Sequence, residues 1–244
     1  MRDRVEIMGV PIDKGTVEDA LRRTKELMQQ DNCSVIVTPN TEIVMEARND
    51  DKLLEVIKNA DLVVPDGIGL IYASKIQNKG LNERVTGVDL MLRILDYCNQ
   101  QKKSIFIFGG KPGVADKAGK NICLKFPDIK VVGSIDGYFK KEEEQSIVDQ
   151  INTSQPDILF VALGAPKQEK WIHQYKDQLK ISIAMGVGGS VDIWAGTAKR
   201  APQIYQKLGL EWFYRLIKEP WRYKRMLVLP KFMLQVLFSK SSQG

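Results

Sequence analysis

Histidine and cysteine are scarce in this chain of 244 residues, which contains one histidine and three cysteines. Cys33, Cys98 and Cys123 lie far apart and form no Cys-x-x-Cys pair, which argues against a zinc knuckle or a disulfide framework. His173 is alone, so a histidine-rich metal site is excluded and any Ser-His-Asp triad would have to use that residue. We therefore expect reduced, mostly buried thiols.

Several longer patterns are also missing. No apolar run approaches the ~20 residues that span a bilayer, and the first residues lack the apolar stretch of a signal peptide, so we expect a cytoplasmic protein. The chain has no Gly-x-Gly-x-x-Gly fingerprint and no Walker pattern, which disfavours an NAD enzyme. It also has no Asp-x-Asp triplet, the metal-chelating pair of many nucleotide-sugar enzymes.

The positive charge is concentrated at the end of the chain. The net charge is +6, but residues 196–244 carry ten Lys or Arg and two Glu, whereas residues 1–195 have a net charge of −2. The same 49 residues hold eight of the 19 aromatic residues. This composition predicts an α/β catalytic domain over 1–195 and a basic, aromatic-rich helical appendage over 196–244, here called the tail. Such a tail suits an anionic membrane surface or a nucleic acid.

The first 195 residues alternate short apolar runs with helical patterns. Continuously apolar runs are typical of strands buried on both faces of a parallel sheet. Strands are predicted at 5–8, 34–38, 62–65, 104–108, 129–133, 158–162 and 181–185. Helices are predicted at 17–30, 41–49, 51–59, 68–77, 87–101, 113–126, 142–153 and 166–177, and in the tail at 203–218, 221–229 and 231–239. The fold class is therefore α/β, a Rossmann-like open and mostly parallel sheet with helices on both faces.

Two predicted strands end in polar loops, where ligands bind in open α/β sheets. Asp66 follows an apolar strand and precedes Gly67, so it is either a turn residue or a carboxylate on the ligand-binding rim that can act as a general base. Thr38 and Asn40 follow another strand and begin a helix, where a capping role is the simpler interpretation.

Three further loops offer groups for an anionic or hydroxylated ligand. Gly109 and Gly110 form a glycine-rich turn before a helix, which either cradles phosphate or simply makes a tight turn. Gly188 and Gly189 allow close backbone approach, with Asp192 as an acceptor for a ribose or base. We assign these five residues to the nucleotide. Two more side chains, Lys167 and Gln168, lie beside the positive end of a helix, although solvated helix surface explains them equally.

The tail combines cations with apolar residues. Arg215, Lys218, Arg222 and Arg225 are spaced by 3, 4 and 3 residues, which places them on one helical face apart from a kink at Pro220. The segment 226–238, MLVLPKFMLQVLF, is strongly apolar but too short to cross a bilayer, so we expect it to lie on a membrane. The arginines can alternatively hold a diphosphate.

Six blocks, taken together, resemble the WecG/TagA/CpsF family of bacterial glycosyltransferases. They cover nearly the whole chain and read, in order, VTPNTEIV, ADLVVPDGIG, RVTGVDL, LGAPKQEKWI, GVGGSVDIWAGTAKRAP and GLEWFYRLIKEPWRYKR. The resemblance implies transfer of N-acetylmannosamine from a UDP-sugar donor to the C4 hydroxyl of undecaprenyl-diphosphate-linked N-acetylglucosamine, with a β-1,4 linkage, in wall teichoic acid synthesis. It also implies work at the inner face of the cell membrane, with no metal and no other cofactor.

The resemblance also assigns roles to particular residues. Asp66 becomes the base that deprotonates the acceptor hydroxyl during inverting displacement of UDP, with Thr38 and Asn40 in the pocket around it. Arg84 and Gln168 position the sugar or its diphosphate. The family's tail closes over the site and supplies arginines, which here are Arg215, Arg222 and Arg225.

Other interpretations remain open at this stage. Relatives in the family use N-acetylmannosaminuronic acid or glucose as the donor sugar. A nucleotide-dependent Rossmann-like enzyme is disfavoured by the missing fingerprint. A nucleic-acid or membrane adaptor would use the basic tail but leaves the polar strand ends unexplained, so we expect no nucleic-acid partner. Exposed apolar residues of the tail favour self-association away from the membrane, which makes a homo-oligomer a further expectation.

Overall fold

The protein is described by a computed structural model that covers residues 3–218, 220–223 and 227–241, with the backbone alone for Arg222 and residues 239–241. Its centre is a six-stranded sheet in which every neighbouring pair is parallel, in the order β4-β3-β8-β7-β5-β6. The strands are β3 (Ser34–Val37), β4 (Leu62–Val63), β5 (Ser104–Gly109), β6 (Lys130–Ile135), β7 (Ile158–Ala162) and β8 (Ile183–Gly186). The predicted parallel α/β sheet is confirmed.

Helices cover both faces of this sheet. They are α1 (Val17–Leu27), α2 (Thr41–Ala47), α3 (Asp51–Lys58), α4 (Ile68–Ile76), α5 (Gly87–Gln100), α6 (Val114–Lys125), α7 (Glu144–Ser154), α8 (Lys167–Tyr175), α9 (Ser190–Trp194), α10 (Gln203–Lys207), α11 (Glu211–Lys218) and α12 (Val228–Ser241). Short 3-10 turns form at Lys141–Glu143 and Pro220–Arg222. One apolar core lies against α1, α5, α6 and α9, and the other against α2, α3, α4, α7, α8 and α12. The predicted layering, with helices on both faces, is therefore present.

A small antiparallel hairpin, which the sequence did not predict in full, protects one edge of the sheet. Its strands are β1 (Arg4–Ile7) and β2 (Val10–Asp13). Asp13 of β2 accepts a hydrogen bond from the backbone N–H of Val63 at 2.7 Å, and from Arg4 Nε at 2.7 Å. Because β4 is the last strand on its side, the Asp13 carboxylate occupies a donor that an added strand would otherwise use.

The tail packs on the helices that follow the first two sheet strands. Phe232 and Val236 of α12 are fully buried in the core that includes α2 and α4. A Cβ on Gly69 would lie 2.8 Å from Leu229 Cδ1, and a Cβ on Gly209 would lie 2.7 Å from Ile68 Cγ1. The segment 226–238 was expected to lie on a membrane, yet one side of α12 belongs to the protein core.

The predicted helix over 203–218 is interrupted. Gly209 has φ of +70°, a left-handed conformation typical of a helix end, and it separates α10 from α11. The close approach of Gly209 to Ile68 also leaves no room for a side chain at this position. Among the described residues, no helix is both long and apolar enough to cross a membrane.

Candidate active site

The carboxyl ends of three neighbouring strands bring the central site residues together. Thr38 follows β3, Asp66 follows β4, and Gly188 follows β8. These strands are adjacent in the order β4-β3-β8, and neighbouring strands lie ~4.8 Å apart. The loops therefore form one continuous rim, as ligand-binding sites of open α/β sheets do.

Backbone hydrogen bonds hold the loop that carries Asp66. The Asp66 N–H donates to Pro39 O at 3.1 Å, and the Val85 N–H donates to Pro65 O at 3.0 Å. The loop therefore lies between the loop after β3 and the segment that leads into α5. Gly67 fits here because a Cβ would lie 3.1 Å from Thr41 N.

Asp66 has the ionisation expected of a general base. Burial raises its pKa from 3.8 to about 6, although Arg215 and Arg84 lower it. Glu211 raises the pKa further, and the backbone N–H of Gly87 at the start of α5 donates to the carboxylate and lowers it. The carboxyl group is therefore mostly ionised at neutral pH but retains more affinity for a proton than an exposed aspartate.

Thr38 and Asn40 lie against the same loops. Thr38 is buried, and a Cβ on Gly87 would approach its Oγ1 to 3.2 Å, so Thr38 reaches the helix end that contacts Asp66. Asn40 Oδ1 accepts from Glu42 N at 2.9 Å and Ile43 N at 3.1 Å. This is the capping role that the sequence offered as the simpler interpretation. The pocket roles of both residues stay predictions.

The structure describes the side chains of two of the four predicted arginines, Arg84 and Arg215. Arg84 and Arg215 both lower the pKa of Asp66, so the tail brings a cation close to this carboxyl group. Arg222 lies in the 3-10 turn after α11, with only its backbone described. Arg225 lies outside the described residues.

Three charged residues that the sequence analysis did not select belong to the same group of side chains: Asp89, Arg200 and Glu211. Arg84 Nη2 lies 2.7 Å from Glu211 Oε2. Arg200 donates to both carboxylate oxygens of Asp89, at 2.7 and 2.8 Å, and its Nε lies 3.5 Å from Glu211 Oε1. One signal was available: Glu211 is one of only two acidic residues among ten basic ones in the tail.

Gln168 links two loops rather than pointing freely into solvent. It is 4% exposed, its Oε1 accepts from Gly188 N at 3.2 Å, and its Nε2 donates to Glu169 Oε1 at 2.8 Å. A Cβ on Gly186 would lie 2.7 Å from Gln168 Nε2, so a larger residue there would displace the end of the Gln168 side chain. Burial raises the pKa of Glu169, a residue that the sequence analysis missed although it lies on the buried face of α8.

The two glycines at the end of β5, Gly109 and Gly110, are explained by the fold itself. A Cβ on Gly109 would overlap the backbone of Ala162, so glycine allows β5 and β7 to approach. The Gly110 N–H donates to Ala162 O at 2.9 Å, and Gly110 O accepts from Gly137 N at 2.8 Å. The backbone N–H of Gly110 is therefore engaged within the protein, which favours the tight-turn interpretation. Nucleotide binding by this loop stays a prediction.

The remaining predicted residues lie along the same rim. Lys167 Nζ lies 4.1 Å from the centroid of the Phe139 ring, a cation–π contact. Gly189 precedes α9, and a Cβ there would lie 3.9 Å from Asp192 Oδ2. Asp192 thus places an acceptor beside the glycine loop after β8. In the described part of the chain, no three His, Cys, Asp or Glu side chains form a candidate metal cluster.

A partly buried carboxyl group beside arginines, on the ligand-binding rim of a parallel α/β sheet, is typical of an enzyme that removes a proton while it neutralises an anionic group. Residues 5–244 match the Glycosyl transferase WecG/TagA/CpsF family. The chain belongs to this family of glycosyltransferases, which confirms the resemblance seen in the sequence.

Two relatives align with most of the chain. A protein of Bacillus subtilis (strain 168) is 40% identical over 213 residues, which cover 87% of this chain and 82% of the relative. A protein of Staphylococcus aureus (strain MW2) is 34% identical over 239 residues, which cover 97% and 93%. Both carry the name N-acetylglucosaminyldiphosphoundecaprenol N-acetyl-beta-D-mannosaminyltransferase.

Proposed function

We propose that this protein transfers N-acetylmannosamine from UDP-N-acetylmannosamine to the C4 hydroxyl of N-acetylglucosamine linked through diphosphate to undecaprenol, a step of wall teichoic acid synthesis. The names of the relatives in Bacillus and Staphylococcus support this acceptor and this sugar. The observation that carries the proposal is the Asp66 carboxyl group, whose pKa of about 6 suits a base at neutral pH.

The chemistry follows from the residues around Asp66. The Asp66 carboxylate removes the proton of the acceptor hydroxyl as its oxygen forms a bond to the anomeric carbon of the donor. The bond from that carbon to the diphosphate oxygen breaks, and its electron pair leaves with UDP. Attack opposite the leaving group inverts the anomeric centre and gives a β linkage. Thr38, which reaches the same end of α5, orients the acceptor.

Arginine side chains supply the positive charge that the departing diphosphate requires. Arg84 and Arg215 act on Asp66 from two elements, the segment before α5 and helix α11. We propose that these two cations hold the diphosphate and that turnover needs no metal ion, with Arg222 and Arg225 as further cations of the tail. Such a clamp stabilises the charge that develops on the leaving group.

The rim accommodates an extended donor. The loop after β4 lies two strand spacings, or ~10 Å, from the glycine loop after β8. The same loop after β4 lies four strand spacings, or ~19 Å, from the loop after β5. We propose that the sugar and diphosphate lie near Asp66 and Gln168, and that the nucleoside extends past Gly188 and Asp192 toward the loop after β5.

We further propose that the tail rests on the inner face of the cell membrane, where the lipid-linked acceptor lies. One face of α12 is exposed and apolar, with Leu234 55%, Leu237 52% and Phe238 70% exposed. Trp221 is 73% exposed and Ile217 54% exposed on the preceding turns. Basic residues in the same segment add attraction to anionic lipids, about 1 kcal/mol for each residue near the surface.

The transferase proposal is tested by UDP release. The assay uses UDP-N-acetylmannosamine and a soluble lipid-diphosphate N-acetylglucosamine analogue in EDTA, with the Asp66→Asn variant alongside. We expect acceptor-dependent turnover that survives EDTA, disappears in the variant, and falls about tenfold in kcat/KM between pH 8 and pH 5 as Asp66 takes up a proton. Turnover only with UDP-glucose or UDP-N-acetylmannosaminuronic acid would overturn the donor assignment, and an active variant would overturn the base assignment.

The membrane proposal is tested by sedimentation with vesicles. We expect binding to vesicles that contain anionic lipid, weakened by salt and by a triple change of Leu234, Leu237 and Phe238 to serine, which alters the exposed face only. Equal sedimentation of the native and altered proteins would contradict the assignment of this face.

A further inference from the structure

Glu211, the first residue of α11, forms ion pairs with two arginines from other parts of the chain. Its Oε2 lies 2.7 Å from Arg84 Nη2, and its Oε1 lies 3.5 Å from Arg200 Nε. The side chains of Arg84 and Glu211 are 16% and 15% exposed. Charge pairs this shielded from water are stronger than those on an open surface.

Arg200 is itself fixed to the helix that contacts Asp66. Its two terminal nitrogens donate to the two oxygens of Asp89, and the Thr86 hydroxyl donates to Asp89 Oδ2 at 2.6 Å. Thr86 and Asp89 together begin α5, whose first N–H donates to Asp66. Glu211 is therefore connected to Asp66 through ion pairs, hydrogen bonds and the peptide bond between Thr86 and Gly87.

Helix geometry connects Glu211 to the cation that the tail contributes. Arg215 follows Glu211 by four residues, so the two side chains lie on the same face of α11. Anchoring Glu211 to Arg84 and Arg200 orients this face toward Asp66. The charges that act on Asp66 are those of Arg215 and Glu211 from α11 and of Arg84 from the segment before α5.

We propose that Glu211 is a positioning residue of the transferase: it fastens α11 to Arg84 and Arg200, and so places Arg215 and the negative charge of Glu211 itself beside Asp66. This inference rests on the proposed function. Glu211 touches neither the sugar nor the diphosphate in this role. A favourable interaction with the helix N-terminus would also suit a glutamate at this position, but it would not require two arginines.

Three variants separate these roles. Glu211→Gln keeps the shape and removes the charge, whereas Glu211→Asp keeps the charge and shortens the reach. Glu26→Gln is the matched control, because Glu26 forms an ion pair with Arg23 within α1 at 2.9 Å and takes no part in the ion pairs of Glu211. Two measurements are made on each full-length protein: kcat/KM as a function of pH, and the rate at which trypsin cleaves the tail.

The pH profile identifies the electrostatic role. Glu211→Gln removes a charge that raises the pKa of Asp66, but release of α11 also removes Arg215, which lowers that pKa and has the larger effect of the two. The acid limb of kcat/KM in Glu211→Gln should therefore move to higher pH. The plateau of kcat/KM should fall about tenfold, because the charge-assisted bonds to the arginines are weakened. Glu211→Asp should keep the native acid limb and recover part of the plateau.

Trypsin cleavage identifies the fastening role and does not depend on the reaction. Cleavage of the tail should be faster in Glu211→Gln than in the native protein and in Glu26→Gln. A native cleavage rate would overturn the proposal, and so would an unshifted acid limb, which would leave Glu211 a merely structural residue. If the native protein released no UDP from any donor, the proposed function would fail, whereas the trypsin result would still decide the fastening.

Discussion

Replacing Asp66 by asparagine should stabilise the folded protein although it removes the proposed base. Burial raises the pKa of Asp66 from 3.8 to about 6 despite the nearby arginines. The folded state therefore binds this proton more tightly than the unfolded state. The stability that protonation contributes is fully present below about pH 4 and is lost as the pH rises through about 6.

The structure sets the size of this effect. The pKa difference is about 2 units, and each unit corresponds to about 1.4 kcal/mol, so the ionised carboxylate costs roughly 3 kcal/mol at pH 8. Asparagine has the shape of the protonated acid and retains an acceptor for the Gly87 N–H. We expect Asp66→Asn to gain about 2 to 3 kcal/mol, or roughly 5 to 10 °C in Tm for a chain of this length.

Thermal unfolding of both proteins at pH 8, 6 and 4.5 provides the measurement. The difference in Tm should be largest at pH 8 and should shrink toward pH 4.5, where Asp66 is protonated in the native protein. Asp157→Asn is the control of opposite sign, since hydrogen bonds from Ser104 and an ion pair with Lys103 hold the pKa of Asp157 below its usual value despite burial. If Asp66→Asn were no more stable than the native protein at pH 8, the argument that burial dominates at this site would be refuted.

Three further substitutions test how the tail packs against the rest of the protein. Phe232→Ala should lower the free energy of unfolding by about 3 to 5 kcal/mol in urea titrations, because the ring is fully buried. Leu234→Ala, whose side chain is 55% exposed, should change it by less than ~1 kcal/mol, and equal losses would contradict the placement of α12. Gly69→Ala should cost about 1 to 3 kcal/mol and speed tail proteolysis, since its Cβ would overlap the Thr41 methyl and crowd Leu229; native stability would show that the two segments are not in contact.

The sequence predicted the sheet best where burial is continuous. The run 158–162 was expected to be a strand and forms β7 with the same bounds, since all its residues face apolar neighbours. Strand β2 was missed, because it is four residues long and contains Pro11. Its turn uses Met8 and Gly9, both with positive φ, instead of the Asn-Gly or Asp-Gly pair that signals such hairpins.

In the tail, the local sequence pattern predicted neither the start of α12 nor which of its sides is buried. Pro230 was expected to precede a helix, but α12 begins at Val228 and includes it in the first turn, where its missing N–H costs nothing. That Phe232 faces the core while Leu234 faces outward depends on contacts with α2 and α4, which precede α12 by more than 150 residues. An apolar helix of this kind has no hydrophobic asymmetry from which the buried side can be read.

In the site, too, local sequence predicted some residues, whereas contacts between distant segments could not be predicted. Asp66 could be chosen because it follows an apolar strand at the rim where ligands bind. The partners of Arg84 could not be predicted, because Glu211 lies 127 residues further along the chain. Ion pairs between distant segments leave no local spacing in the sequence, so the cluster of Arg84, Arg200 and Glu211 is visible only in the folded protein.

The way Asp13 occupies the backbone N–H of Val63 bears on how molecules of this protein can associate. An unpaired outer strand invites a second molecule to extend the sheet. Here the Val63 N–H already donates to the Asp13 carboxylate. Arg4 Nε holds this carboxylate in place, 2.7 Å from Asp13 Oδ1. Extension of the sheet at β4 would first require the hydrogen bond between the Val63 N–H and Asp13 to break. The strand that leads to Asp66 is thereby protected from edge-to-edge pairing with a strand of another copy, even when many molecules crowd together on one surface.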